Sequence, residues 1–84
     1  MKKVIVIGEE RCESCKLVVE YLKKKGIPYE VRIPNKMYLI YYVNMCGGIP
    51  VVLFIGRLGE IADYVCGADF EKLEEKIKKH FKYF

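Results

Sequence analysis

Val4-Ile5-Val6-Ile7-Gly8-Glu9-Glu10-Arg11-Cys12-Glu13-Ser14-Cys15 is the stretch on which the reading of this chain turns. Four β-branched apolar residues in a row have the composition of a buried strand, and two cysteines follow at the opening of a helical pattern. Thiols at i and i+3 on a first helical turn face the same way and can close a small disulfide. The first lies among the unpaired N–H groups of the helix start, whose partial positive charge favours a thiolate. A thiolate that attacks a disulfide, with a second thiol beside it to resolve the mixed intermediate, is a two-electron redox centre. Cys12 is the candidate nucleophile and Cys15 the candidate resolving thiol, by their order along the helix. Arg11 beside Cys12 favours the thiolate, whereas Glu9, Glu10 and Glu13 oppose it.

Outward from this stretch, residues 15–25 place Cys15, Val18, Val19 and Leu22 at i, i+3, i+4 and i+7, the pattern of an amphipathic helix. Gly26 supplies its stop and Pro28 blocks continuation. Residues 29–33 read as a second strand closed by Pro34-Asn35. Residues 37–45 are nearly all apolar or aromatic, so periodicity alone does not separate helix from strand; length and the preceding Pro34-Asn35 favour a helix covered on more than one side. Val51 to Ile55 is a third strand. Gly56-Arg57-Leu58-Gly59 is a tight connection to a fourth strand over 61–65, which makes a hairpin. Asp69 then caps a last helix with Phe70, Leu73, Ile77, Phe81 and Phe84 on one face. Its acidic residues (Glu71, Glu74, Glu75) come early and its lysines (Lys78, Lys79, Lys82) late, as the helix dipole prefers.

The 84 residues provide for one α/β domain, 1–84, with one modest core. A chain 52% hydrophobic and 31% charged is a folded globular protein rather than a disordered tail. The net charge of +4 is mild, and its short lysine runs read as solvated helix faces, with an acidic partner surface as the alternative; nucleic acid is not an expected partner. No apolar run is long enough to span a bilayer, and Met1-Lys2-Lys3 leads into too short a run for a signal peptide. Four cysteines without such a signal argue against a structural disulfide framework and for a reducing compartment, the cytoplasm, where paired cysteines are catalytic, redox-sensing or metal-binding.

With the redox pair at a strand-to-helix turn and the order strand, helix, strand, helix, strand, strand, helix, the chain resembles a glutaredoxin, a small member of the thioredoxin superfamily. The resemblance rests on Cys12-Glu13-Ser14-Cys15, on Ile49-Pro50-Val51 at the entry to the third strand, and on Cys66-Gly67-Ala68-Asp69. It implies a four-stranded mixed sheet flanked by three helices. It also implies a cis Pro50 facing the redox pair, where the backbone at Ile49 and Pro50 pairs with an extended substrate. Gly67 and Asp69 match the turn at which glutaredoxins hold the γ-glutamyl end of glutathione, and Asp69 is equally a good helix cap. The chain departs from the family in having Glu13-Ser14 between the cysteines, Gly48 two residues before Pro50, Arg11 in place of an upstream lysine, and Cys66 in place of the first glycine of the turn. The implied activity is thiol–disulfide exchange by a monomer without a bound cofactor, with glutathione or a thioredoxin reductase system as electron donor.

Several residues stay open at this stage. Tyr38, Tyr41, Tyr42 and Met45 form a stripe at helical spacing that serves either the core or a partner-binding patch. His80, among lysines, reads as a surface residue. The resemblance places Cys46 and Cys66 near the redox pair, where they act as small buried packing residues. The alternatives are a third redox-active thiol and a four-cysteine zinc or iron–sulfur module of Cys12, Cys15, Cys46 and Cys66, which requires all four sulfurs to converge.

Overall fold

A computed structural model describes residues 3–81. The chain runs β1 (Lys3–Ile7), α1 (Glu13–Lys25), β2 (Tyr29–Arg32), α2 (Lys36–Cys46), β3 (Val51–Ile55), β4 (Ile61–Cys66) and α3 (Phe70–His80). The strands lie in the order β2-β1-β3-β4, with β2 parallel to β1 and the other two pairs antiparallel. This is the mixed four-stranded sheet with three helices, in the order read from the sequence. The parallel pair needs a long crossover, which α1 supplies; β3 and β4 are joined by the short Gly56–Gly59 connection.

The alternation of side chains along a strand divides the interior into two layers. Val4, Val6, Val52, Phe54 and Val65 face Val18 and Leu22 of α1 and Leu73 and Ile77 of α3. Ile5, Ile7, Val51, Leu53 and Ile55 point the other way, where Tyr42, Met45 and Cys46 of α2 partly cover them. Residues 4–7 of β1 and all of β3 are thus apolar without interruption, as suits strands covered on both sides.

The expectation that the second helix is covered on more than one side is not met. None of the eleven residues of α2 is buried, and Met37 and Ile40 are 79% and 63% exposed. Two of the three helices are committed to the opposite face, so no element remains to cover the outer side of α2. Its packing on the sheet is incomplete too: a cavity of about 680 Å³ opens between them, lined by Ile5, Ile7, Leu53, Ile55, Tyr38 and Tyr42 among others. The tyrosine stripe accordingly splits, with Tyr42 and Met45 against the sheet, Tyr38 exposed at the cavity it lines, and Tyr41 exposed.

Two further differences concern α3. Phe70, assigned above to the core face, is 37% exposed and lies against the ring of Tyr21 at 5.2 Å; Phe84 and Lys82 fall outside the described residues. His80 is not a surface residue. Its ring stacks near Phe54, and its Nε2 lies 3.0 Å from Asp63 Oδ2. Lys76 Nζ reaches the same oxygen at 3.0 Å, and the Tyr64 N–H donates to Oδ1. The sequence hides this because only the fold brings β4 beneath the last turns of α3.

These partners, His80 first, hold the Asp63 carboxyl down from 3.8 to about 2. A carboxylate depressed in the folded state contributes stability that is present above its unfolded value and is lost as pH falls through the folded one. For Asp63 that window runs from about pH 4 down to about pH 2. Asp63→Asn is expected to lower stability by about 1–2 kcal/mol at neutral pH and to flatten the acid limb over this window. Urea unfolding of both proteins between pH 2 and 7 measures this directly; parallel acid limbs would remove Asp63 as the anchor.

Candidate active site

At the end of β1 the chain passes Gly8 and turns, with the Cys12 N–H donating to the Glu9 carbonyl at 3.2 Å. Cys12 occupies the N-cap of α1, in extended backbone conformation, and its Sγ accepts the Cys15 N–H at 3.1 Å. A serine or aspartate oxygen usually fills this position, satisfying one of the orphan donors of the first turn. Here a sulfur fills it. In the dithiol state the same donor, and the helix start behind it, favours a negative charge on Cys12.

Cys12 is half-buried and Cys15 is only 3% exposed, an order that suits an outer attacking thiol and an inner resolving one. The two are joined as a disulfide with their Cα atoms 5.2 Å apart. Gly8 lets Cys15 sit there: a Cβ on Gly8 would lie 2.7 Å from Cys15 Sγ and 3.0 Å from its Cβ. Sequence reasoning passed over Gly8, although a glycine between a buried strand and a CxxC pair is a visible signal of close approach.

Strand register carries the site across the sheet. Ile7 pairs with Val51, and Val51 with Cys66. One step further places Gly8 level with Pro50, so the redox pair and Pro50 share one end of the sheet. The Ile49–Pro50 peptide is cis and Pro50 is fully buried. The Pro50 carbonyl accepts the Gly67 N–H at 2.8 Å. Proline offers no N–H of its own, so the backbone left for an extended partner at this edge is that of Ile49, which precedes the first β3 residue in the ladder.

The remaining candidates flank this edge. The Ile49 side chain packs on the α2-side layer. Gly67 turns the chain with φ 73°, a conformation that disfavours any side chain. Asp69 caps α3, its Oδ1 accepting the Lys72 N–H at 3.1 Å, which leaves Oδ2 for another donor. Arg11 is exposed on the approach to Cys12, next to the exposed Glu9, Glu10 and Glu13.

Cys46 and Cys66 correct the reading of them as small buried packing residues. They form a second disulfide, Cα–Cα 5.2 Å, with Cys66 exposed and Cys46 half-buried. The argument from cysteine count against structural disulfides missed this, because the pairing depends on β4 lying beside β3. The four sulfurs are thus paired two by two, and among the described residues no three His, Cys, Asp or Glu side chains converge as metal ligands.

No protein-family model and no curated relative matches the sequence. Among solved structures, the chain is similar to the glutaredoxin (grx-1) from Archaeoglobus fulgidus, with a TM-score of 0.69 and 28% sequence identity. The match covers 93% of this chain and 88% of that one. The protein is glutaredoxin-like, with the fold of the thioredoxin superfamily and a CxxC disulfide at its helix start.

Filling the Gly8 notch tests the site's construction. Gly8→Ala must push Cys15 or β1 aside and is expected to cost about 1–3 kcal/mol of stability. It should also slow reclosure of the Cys12–Cys15 disulfide after reduction, read by alkylation quench. Unchanged stability and reclosure would mean that Cys15 does not rest on Gly8.

Proposed function

We propose that this protein is a dithiol–disulfide oxidoreductase that reduces protein disulfides or mixed disulfides with glutathione. The observation that carries the reading is the Cys15 N–H donated to Cys12 Sγ at a helix start, with Cys15 buried directly behind it. The reaction begins with the dithiol. Cys12 thiolate attacks one sulfur of the substrate disulfide, forming a Cys12–substrate bond and releasing the other sulfur as a thiolate, which takes a proton from solvent. Cys15 loses its proton and attacks Cys12 Sγ, closing Cys12–Cys15 and expelling the second substrate thiolate. Two electrons have passed from the protein to the substrate. Glutathione or a thioredoxin reductase system returns them by the reverse exchange.

Residues at the sheet edge hold the substrate in this proposal. The Ile49 backbone, beside Pro50, pairs with an extended segment around the substrate cysteine. Asp69, beyond the Gly67 turn, offers Oδ2 to an ammonium group such as that of a γ-glutamyl end. Arg11 offers charge to an anionic substrate and to the Cys12 thiolate. The protein works as a cytoplasmic monomer without a bound cofactor, on neither nucleic acid nor membrane; among the described residues no helix is long and apolar enough to cross a bilayer.

Turnover with glutathione and glutathione reductase, set beside turnover with thioredoxin reductase, identifies the donor; no reduction in either would remove the reading. Cys12→Ser is expected to fall to background. Cys15→Ser should keep a reactive Cys12 and accumulate the mixed disulfide, visible as an intact-mass adduct. Cys12 in the reduced protein should react with iodoacetamide well below the pH near 8.5 at which an ordinary thiol ionises, roughly one unit or more. Full activity of Cys12→Ser would refute its role as the nucleophile.

A further inference from the structure

Cys46 is the last residue of α2 and Cys66 the last of β4, and only residues 47–50 separate Cys46 from β3. That short segment carries Ile49 and Pro50. Its far end is well held, since Val51 is paired on both sides and the Pro50 carbonyl takes the Gly67 N–H. Its near end follows α2, none of whose residues is fully buried; the helix rests on the sheet through Tyr42, Met45 and Cys46 and stands off it over the cavity toward Tyr38. Between the two ends lie Gly47 and Gly48, with φ of 81° and 147°, backbone states that glycine enters without penalty and as freely leaves. Ile49 is only partly buried against the α2-side layer, so packing holds the segment at that one side chain while two glycines separate it from α2.

The disulfide closes this gap. Cys66 is the cross-strand partner of Val51, so Cys46–Cys66 ties the near end of the segment to the strand that already grips its far end. The ring so formed holds Gly47, Gly48, Ile49 and Pro50 between two fixed points. The two disulfides do not face each other. Val65 and Asp63 point to the α3 side, so Cys66, one residue on from Val65, points to the α2 side. Cys15 belongs to the buried stripe of α1 on the opposite face, with Val18 and Leu22. The sheet edge lies between the pairs, an arrangement suited to a staple and poor for direct exchange.

We infer that Cys46–Cys66 is a positioning disulfide for the substrate-binding segment 47–50 and stays oxidised while Cys12–Cys15 cycles. The inference rests on the reading of Ile49 as a substrate contact. Its signature is a loss of substrate binding without loss of the nucleophile.

Two measurements test it. In Cys46→Ser/Cys66→Ser, KM for an extended disulfide-bonded peptide should rise about tenfold while kcat and the rate of Cys12 alkylation stay within about twofold. Wild type quenched with iodoacetamide during turnover should carry adducts on Cys12 and Cys15 alone. An unchanged KM, a parallel fall in kcat and alkylation, or adducts on all four cysteines overturns the inference. If the double variant does not fold, Cys12→Ser/Cys15→Ser, which keeps only the second disulfide, is examined by amide exchange before and after reduction. Exchange at Gly67, whose N–H holds the Pro50 carbonyl, should speed up about tenfold or more while β1 stays protected. Uniform loss across β1 would mark a staple of the whole fold, and no change would mark an idle bond; both overturn it. Wild type that folds but turns over no disulfide would instead sink the oxidoreductase reading, while the exchange result would still report on the staple.

Discussion

β1 and β3 pair antiparallel along five residues each, and both are buried on the two faces of the sheet. Every other element takes its position from this pair. β2 adds to the free edge of β1 and β4 to that of β3, while α1 and α3 cover one face and α2 the other. A one-residue slip of β3 against β1 would turn β3 over and present Val51, Leu53 and Ile55 to α1 and α3 in place of Val52 and Phe54. The same register brings Gly8, the floor beneath Cys15, level with Pro50. Core packing and active-site geometry thus follow from a single set of cross-strand pairs.

The parts legible in the sequence were those governed by local rules. The β-branched runs of β1 and β3, the stripe of α1, the cap at Asp69 and the spacing of Cys12 and Cys15 all announce themselves within a few residues. What was hidden depends on partners distant in sequence. Length and the preceding Pro34-Asn35 favour a helix over 37–45, but its apolar composition does not say how many neighbours it has, and α2 has too few. His80 reads as one more polar residue among lysines until Asp63, seventeen residues earlier, is brought beneath it. Cys46 and Cys66 lie twenty residues apart, and the resemblance brought them close to the redox pair without bringing them to each other.

The molecule spends its few strong polar interactions unevenly. On the α3 side, one carboxylate gathers His80, Lys76 and the Tyr64 amide, and the helix is pinned there by charge as well as by Leu73 and Ile77. On the α2 side no comparable ion pair joins helix to sheet among the described residues, and a covalent bond stands at the end of the helix instead. The contrast is physical rather than accidental. A helix with a buried stripe can be steered by surface charge, whereas one resting on an open cavity needs a tether.

The sulfur at the N-cap has one more consequence. A donor that steadies negative charge on Cys12 acts in both directions of thiol–disulfide chemistry. It raises the fraction of thiolate available for attack, and it also lowers the basicity of that thiolate, so that Cys12 departs readily when another sulfur attacks its partner. In the proposed exchange, the helix start would make Cys12 a good leaving group as well as an attacking one. Within that cycle this favours release of Cys12 when a second thiol attacks the substrate sulfur of the mixed disulfide, whereas Cys15, which attacks Cys12 Sγ itself, expels the substrate thiolate and gains nothing from it.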